Sequence, residues 1–188
     1  MNKSILGLAV TGIMLCSCQS NSYQITGYAR HFQDGDTIWL ATEEQPEAPF
    51  AEAYVNGGKF YFTGEQETPQ VCRVYPKQEP ECIVSFFLEP GHITLEMNLP
   101  PDYPRVSGTK VNNAWQQLCD SIEMLGREAI NIAKITSDTS PDVHLRRLNA
   151  IDSLHRRMSQ CILNTASRNR DNALGRYIHE NYKEPEFD

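Results

Sequence analysis

The apolar residues of this chain change period at Gly108. Upstream they alternate with polar ones: Phe60 and Phe62 against Lys59, Tyr61 and Thr63, then Ile93, Leu95 and Met97 against Thr94, Glu96 and Asn98. A period of two puts one set of side chains on one face of a strand. Downstream, Trp115, Leu118, Ile122, Leu125, Ala129 and Ile132 recur at steps of three and four, which is one face of a helix. Strands first and helices after select an α+β class over interleaved α/β units.

Turn chemistry divides the first part into seven or eight short strands. Tyr23 to Phe32 and Thr37 to Thr42 flank Asp34-Gly35-Asp36. Phe50 to Val55 and Lys59 to Thr63 flank Asn56-Gly57-Gly58, whose residues accept the positive φ of a tight hairpin turn. Gln70 to Tyr75, Cys82 to Leu88, His92 to Asn98 and Arg105 to Ser107 follow. Residues 23–108 are therefore expected to form an antiparallel β-sandwich or open barrel. Residues 109–188 are expected to form an antiparallel helical hairpin and a short C-terminal helix. The second long helix runs from about Asp142 to about Arg168, and the last covers Ala173 to Tyr182. The polar tail, Lys183 to Asp188, is expected to fray.

At the start of the chain, Lys3 and an apolar stretch from Ile5 to Leu15 lead into Leu15-Cys16-Ser17-Cys18. The stretch is too short to cross a bilayer as a helix, which takes about 20 residues. Its layout is that of a secretory signal ending in a bacterial lipobox, with Leu at −3 and a small residue at −1. Residues 1–17 are thus expected to be cut off as a lipoprotein signal peptide. Residues 18–22 then form a lipidated tether held on a membrane by acyl chains on Cys18. Losing Lys3 takes Lys+Arg from 17 to 16 against 24 Asp+Glu, a net charge of −8. A domain this acidic is repelled by nucleic acid and by anionic headgroups, so neither is expected as a partner.

Four cysteines remain beyond the lipobox: Cys72, Cys82, Cys119 and Cys161. None form a Cys-x-x-Cys pair, and their spacing is too wide for a zinc knuckle. Cys72 and Cys82 are equidistant from Lys77, so a hairpin of that register would put them directly opposite. Cys119 and Cys161 are equidistant from Ser140, where the two long helices meet, so they are expected at one level across the apolar seam. In an oxidising compartment both pairs are candidate disulfides; otherwise they are small core residues.

Other constellations read as structure. Phe86-Phe87-Leu88-Glu89-Pro90-Gly91 offers Glu89 at a strand end, but Pro90 and Gly91 are turn chemistry. His31, Asp34 and Asp36 sit in a turn, and His144 and His155 share a helix face without a third ligand, so no metal site is expected. Arg146, Arg147, Arg156 and Arg157 give the second helix a basic stripe, read as a solvated face in preference to a dock for an acidic protein. Gly-x-Ser-x-Gly, a phosphate-cradling loop and His-Glu-x-x-His are all missing, so neither a catalytic residue nor a cofactor is expected.

Several segments together resemble a known family. They are Ile25-Thr26-Gly27, Gly57-Gly58-Lys59-Phe60-Tyr61-Phe62-Thr63-Gly64, Thr68-Pro69, Phe86 to Leu95, and Val106-Ser107-Gly108-Thr109 with Asn112. In order and spacing they are similar to the N-terminal domain of unknown function 4369 of Bacteroidota lipoproteins, over roughly residues 23–115. In many members that domain precedes a thioredoxin-fold thiol oxidoreductase, a part not found here. The resemblance implies a place in the cell envelope, lipid-anchored at the outer membrane and facing the periplasm. It supplies no catalytic or binding residues. The expected function is a non-catalytic binding or accessory module for a small ligand or an envelope protein, such as a thioredoxin-fold partner. Two other readings stay open. One is an accessory thiol–disulfide protein acting in trans through Cys72 and Cys82, and the other a hydrolase with a site between sandwich and hairpin.

Overall fold

The computed structural model describes residues 21–134 and 140–183. The expected signal peptide, Cys18, most of the expected tether, residues 135–139 between the long helices and the tail 184–188 lie outside the described residues. Eight strands come first: β1 Ser22–Tyr28, β2 Thr37–Thr42, β3 Ala51–Tyr54, β4 Lys59–Glu65, β5 Gln70–Pro76, β6 Val84–Leu88, β7 Gly91–Glu96 and β8 Arg105–Ser107. Three helices follow: α1 Lys110–Lys134, α2 Pro141–Arg168 and α3 Ala173–Asn181. The strands form two open four-stranded sheets, ordered β4-β1-β7-β8 and β3-β2-β5-β6. The fold is α+β, and the sheets do not close into a barrel.

Alternation builds the core. Ile25, Phe60, Phe62, Ile93 and Leu95 of the first sheet meet Ile38, Leu40, Val74, Phe86 and Leu88 of the second in one buried cluster. Each large side chain so buried contributes about 1.5–3 kcal/mol. The opposite phase is polar on the first sheet, at Gln24, Thr26, Tyr61, Thr63, Thr94 and Glu96. On β5 and β6 that phase holds Arg73 and Ser85 but also two large apolar residues. Val71 and Phe87 point outward and are covered by the helices, in a second cluster with Val111, Leu118, Leu174 and Ile178.

The structure corrects the expected sheet in two places. First, β1 pairs in parallel with β7, from Tyr23↔Gly91 to Tyr28↔Glu96, so the first sheet is not wholly antiparallel. All of the second sheet lies between these strands in the chain, which gives the length that a parallel crossover needs. Second, the Asn56-Gly57-Gly58 turn forms, with Asn56 N–H to the Lys59 carbonyl at 2.8 Å, but it does not join one hairpin. Its strands part at once: β3 pairs β2 in one sheet and β4 pairs β1 in the other. The corner is held by the β1–β2 loop. The Asp34 carboxylate accepts from Gly57 N–H at 2.8 Å, and Ala29 N–H donates to the Gly58 carbonyl at 2.9 Å.

Topology also orients the molecule. Strand β1 starts beside Glu65 and Gly91 and runs parallel to β7. Helix α1 runs antiparallel to β8, with Gln116 beside Val106 and Asp120 beside Arg105. It therefore runs the same way as β1, away from the end where the chain enters the sandwich. Its 25 residues span about 37 Å. The C-terminal end of α1 thus points away from the entry end.

Candidate functional site

Strands β6 and β8 are edges of the two sheets, and the start of α1 closes both. Asn112 is fully buried. Its Oδ1 accepts from Phe87 N–H and its Nδ2 donates to the Phe87 carbonyl, each at 2.8 Å. One amide side chain thereby takes the place of a neighbouring strand on β6. Thr109 Oγ1 accepts a further bond from Asn112 Nδ2 at 2.8 Å, which fixes the amide's orientation. Gln116, one turn on, accepts from Val106 N–H of β8 at 2.7 Å. Trp115 Nε1 donates to the Ser85 carbonyl of β6 at 3.2 Å. Arg105 forks onto Asp120 at 2.9 and 3.0 Å, an exposed pair that adds little energy but fixes the helix direction.

This attachment brings three aromatic rings together. Phe87 on the outer face of β6, Trp115 on α1 and Tyr177 on α3 meet edge to face, with centroids 5.8–6.0 Å apart. Helix α3 is set there by its N-cap, where the Asn172 side chain accepts from Leu174 and Gly175 N–H. Tyr177 also donates from its hydroxyl to Glu43 Oε1 at 3.3 Å, tying α3 to the end of β2. Burial first, and then the Glu43 carboxylate, raise the Tyr177 phenol, so it remains a protonated donor.

Beside this junction the cap leaves an open cleft of about 480 Å³. Trp115, Leu118 and Ile122 of α1 form one wall. Ile162 of α2 and Tyr177, Ile178 and Tyr182 at α3 form the other, with Tyr103 of the β7–β8 connection at the rim. A concave apolar surface of this size with few polar groups has the character of a small-molecule site. Sequence reading did not find it, because its walls lie 40 or more residues apart in the chain. The available signal was Asn112, a polar residue three positions before Trp115 on the otherwise apolar stripe of α1.

Of the two outcomes open for the cysteines, the structure has the reduced one: Cys72, Cys82, Cys119 and Cys161 are free thiols. For the first pair the register explains why. Strand β5 meets β6 as Val74↔Val84 and Cys72↔Phe86, so the hairpin centres on Glu79 and not on Lys77. Cys82 falls in the connecting turn, bonded to Glu79 through both N–H and Sγ. In the second pair, Cys119 lines the cleft and Cys161 packs at the edge of the cap's apolar cluster. The helices meet with Gly126 facing Met158 and Glu128 paired with Arg157. Those contacts centre near residue 142, which puts Cys119 level with Thr165, about one turn from Cys161.

Three of the thiols are also chemically quiet. Burial in the sandwich core pushes Cys72 up from 9.0 to about 12. Burial first, and then the charge of Asp120, push Cys119 up to about 11. Burial and the neighbouring Glu79 raise Cys82. Exchange requires a thiolate, so these surroundings oppose a thiol–disulfide role. They also carry a pH dependence. The unfolded chain releases the Cys72 proton from about pH 9, and the folded chain only near 12. Stability from this group is complete below pH 9 and is lost as pH rises towards 12. We expect about 1 kcal/mol less stability at pH 10 than at pH 8 from Cys72 alone. Urea unfolding at the two values, compared with Cys72→Ala, checks this; an equal loss in the variant would contradict it.

The remaining candidates are structural. The Asp36 carboxylate accepts from Gln33 N–H and the Asp34 carboxylate from Gly57 N–H, so both serve the turn. His31, His144 and His155 are exposed, and among the described residues no group of three His, Cys, Asp or Glu is arranged to hold a metal. Glu89 precedes the Pro90-Gly91 turn and leaves one buried carboxylate oxygen without a partner. Of the four α2 arginines, Arg157 pairs with Glu128 on α1 at 3.1 Å, Arg147 is half-buried, and Arg146 and Arg156 are exposed.

Residues 23–115 match the profile of a family described as a domain of unknown function, DUF4369. No curated protein matches the chain. The matched segment runs past the last strand and ends at Trp115, so it takes in Asn112 and the turn of α1 that closes β6.

Proposed function

We propose that this chain, whose residues 23–115 carry the domain of unknown function 4369, is an envelope lipoprotein that acts as a non-catalytic binding module through the junction cleft. The open apolar cleft at the sandwich–cap junction carries the binding part of this reading. Closing the sandwich core does not require it, because side chains of Asn112, Gln116 and Trp115 already bond backbone groups of the edge strands β6 and β8. The raised thiols argue against the alternative exchange role.

Anchoring is supported by the Leu15-Cys16-Ser17-Cys18 sequence and the short apolar run before it. No helix among the described residues is long and apolar enough to cross a membrane. From Cys18 to the start of β1 the chain reaches about 14 Å at most. The entry end of the sandwich would then face the bilayer and the C-terminal end of α1 the periplasm, in keeping with the outer-membrane placement of the family it resembles. Cys18→Ser is expected to move the protein from the membrane to the soluble fraction, since the acyl chains supply the attachment. Intact mass of the wild-type mature chain checks the modification, and an unacylated Cys18 would contradict it.

Binding is tested with the small-molecule fraction of an envelope extract. It should raise the unfolding temperature of the wild type and leave Ile122→Trp, whose cleft is filled, unmoved. Equal shifts in both proteins, or none in either, would contradict the reading.

A further inference from the structure

We propose that the junction cleft takes an uncharged, largely apolar small molecule carrying a planar ring, an assignment that deepens the binding reading above and rests on it. Shape and charge both point there. The lining offers four aromatic rings, Tyr103, Trp115, Tyr177 and Tyr182, with aliphatic side chains of all three helices between them. Trp115 and Tyr177 stand nearly perpendicular, at 89°, so a flat ligand can lie on one ring and meet the other edge-on.

The cleft's carboxylate and its amide donor are already engaged. Among the described residues Glu123 is the one charged lining residue, and Arg127 holds its carboxylate at 2.8 Å. That guanidinium also lies over the Tyr103 ring, 5.3 Å from its centroid, so the cation is held at the rim. Asn181 Nδ2 donates to the Tyr177 carbonyl at 2.9 Å. Cys119 is a neutral thiol. A charged ligand would lose its water here and find no free counter-charge. The cap itself adds no net charge, since residues 109–188 hold 11 Lys+Arg against 11 Asp+Glu, and the acidic excess of the chain lies in the sandwich, where it disfavours anions. A neighbouring cleft across Tyr177 differs in this respect, being lined by Glu43, Glu44, Arg176 and Glu180. It suits polar solutes.

The chain's two tryptophans allow a direct test. Trp39 lies on the outer face of β2, against Tyr75 and under Lys77, so Trp39→Phe leaves Trp115 as the sole tryptophan reporter. The lipid-anchored chain in detergent, carrying Trp39→Phe, is titrated with N-phenyl-1-naphthylamine and with 1-anilinonaphthalene-8-sulfonate, the same ring system bearing a sulfonate. The uncharged probe is expected to quench Trp115 by energy transfer and to bind at least ten-fold tighter than the sulfonate. Ile122→Trp and Ile162→Trp, each checked by circular dichroism for retained fold, are expected to weaken it at least ten-fold, read from the probe's own emission. Sulfonate binding as tight as that of the uncharged probe would overturn the ligand class. Unchanged affinity in both filled variants would overturn the site. If the uncharged probe fails to bind while the extract fraction still stabilises the wild type and not Ile122→Trp, the ligand class fails and the binding module stands. If neither acts, both fail.

Discussion

Asn112→Ala is expected to lower the stability of the whole domain by about 3 kcal/mol, although the residue lies in a helix and outside both sheets. The substitution leaves Phe87 N–H and C=O without partners at a buried sheet edge. Each such orphan costs about 1–3 kcal/mol, and water entering the space relieves part of that. Helix propensity works the other way, because Ala is the better helix former by a few tenths of a kcal/mol, so the helix itself does not account for the loss. Asn112→Asp separates the two halves of the interaction. It keeps an acceptor for Phe87 N–H but sets a carboxylate oxygen against the Phe87 carbonyl, and it should also destabilise. Urea midpoints for wild type, Asn112→Ala and Asn112→Asp measure this. A loss under 1 kcal/mol for Ala would show that α1 does not close the edge.

Gly108→Ala is expected to be at least as damaging, at about 3 kcal/mol or more. Gly108 turns the chain from β8 into α1 with φ at +112°, a region that side chains avoid. A β-carbon there would also overlap the carbonyl oxygen of His92, which belongs to the backbone of β7 and cannot rotate away. Relief requires β7 or β8 to shift, close to the Thr94↔Ser107 pair. Gly57→Ala makes an informative contrast. Gly57 also has a positive φ, +57°, but nothing lies within 4 Å of the added carbon. Its cost should be the conformational part alone, about 1 kcal/mol. Thermal unfolding of the two variants side by side checks the difference, and equal losses would mean that the His92 contact has no weight.

Strands and helices were legible in the sequence because their period comes from a buried face. Phe60 and Phe62, or Leu118, Ile122 and Leu125, mark such faces whatever lies opposite them. Pairing was less legible. Alternation is the same for parallel and antiparallel neighbours, so β1 against β7 left no mark in the chain. The Asn56-Gly57-Gly58 signal specifies a tight turn and says nothing about whether its arms stay in one sheet. Register failed at Cys82 for a related reason. Counting from the middle of a polar connection assumes a symmetric loop, whereas β5 continues through Pro76 and β6 begins only at Val84. The cleft depends on tertiary packing and could not be read from local pattern: Trp115 and Tyr177 meet only because Asn112 and Asn172 fix the starts of two helices on one sheet face.

Amide hydrogen exchange at Phe87 and Val106 tests most directly whether the start of α1 serves as the closing strand of the sandwich and thereby builds the cleft. Both amides belong to sheet edges, and both bond to side chains of α1. The expected result is protection comparable to that of the inner strands β1 and β5. Protection at Phe87 should fall selectively in Asn112→Ala, and at Val106 selectively in Gln116→Ala. Fast exchange at Phe87 in the wild type, at the rate of an exposed strand edge, would contradict it.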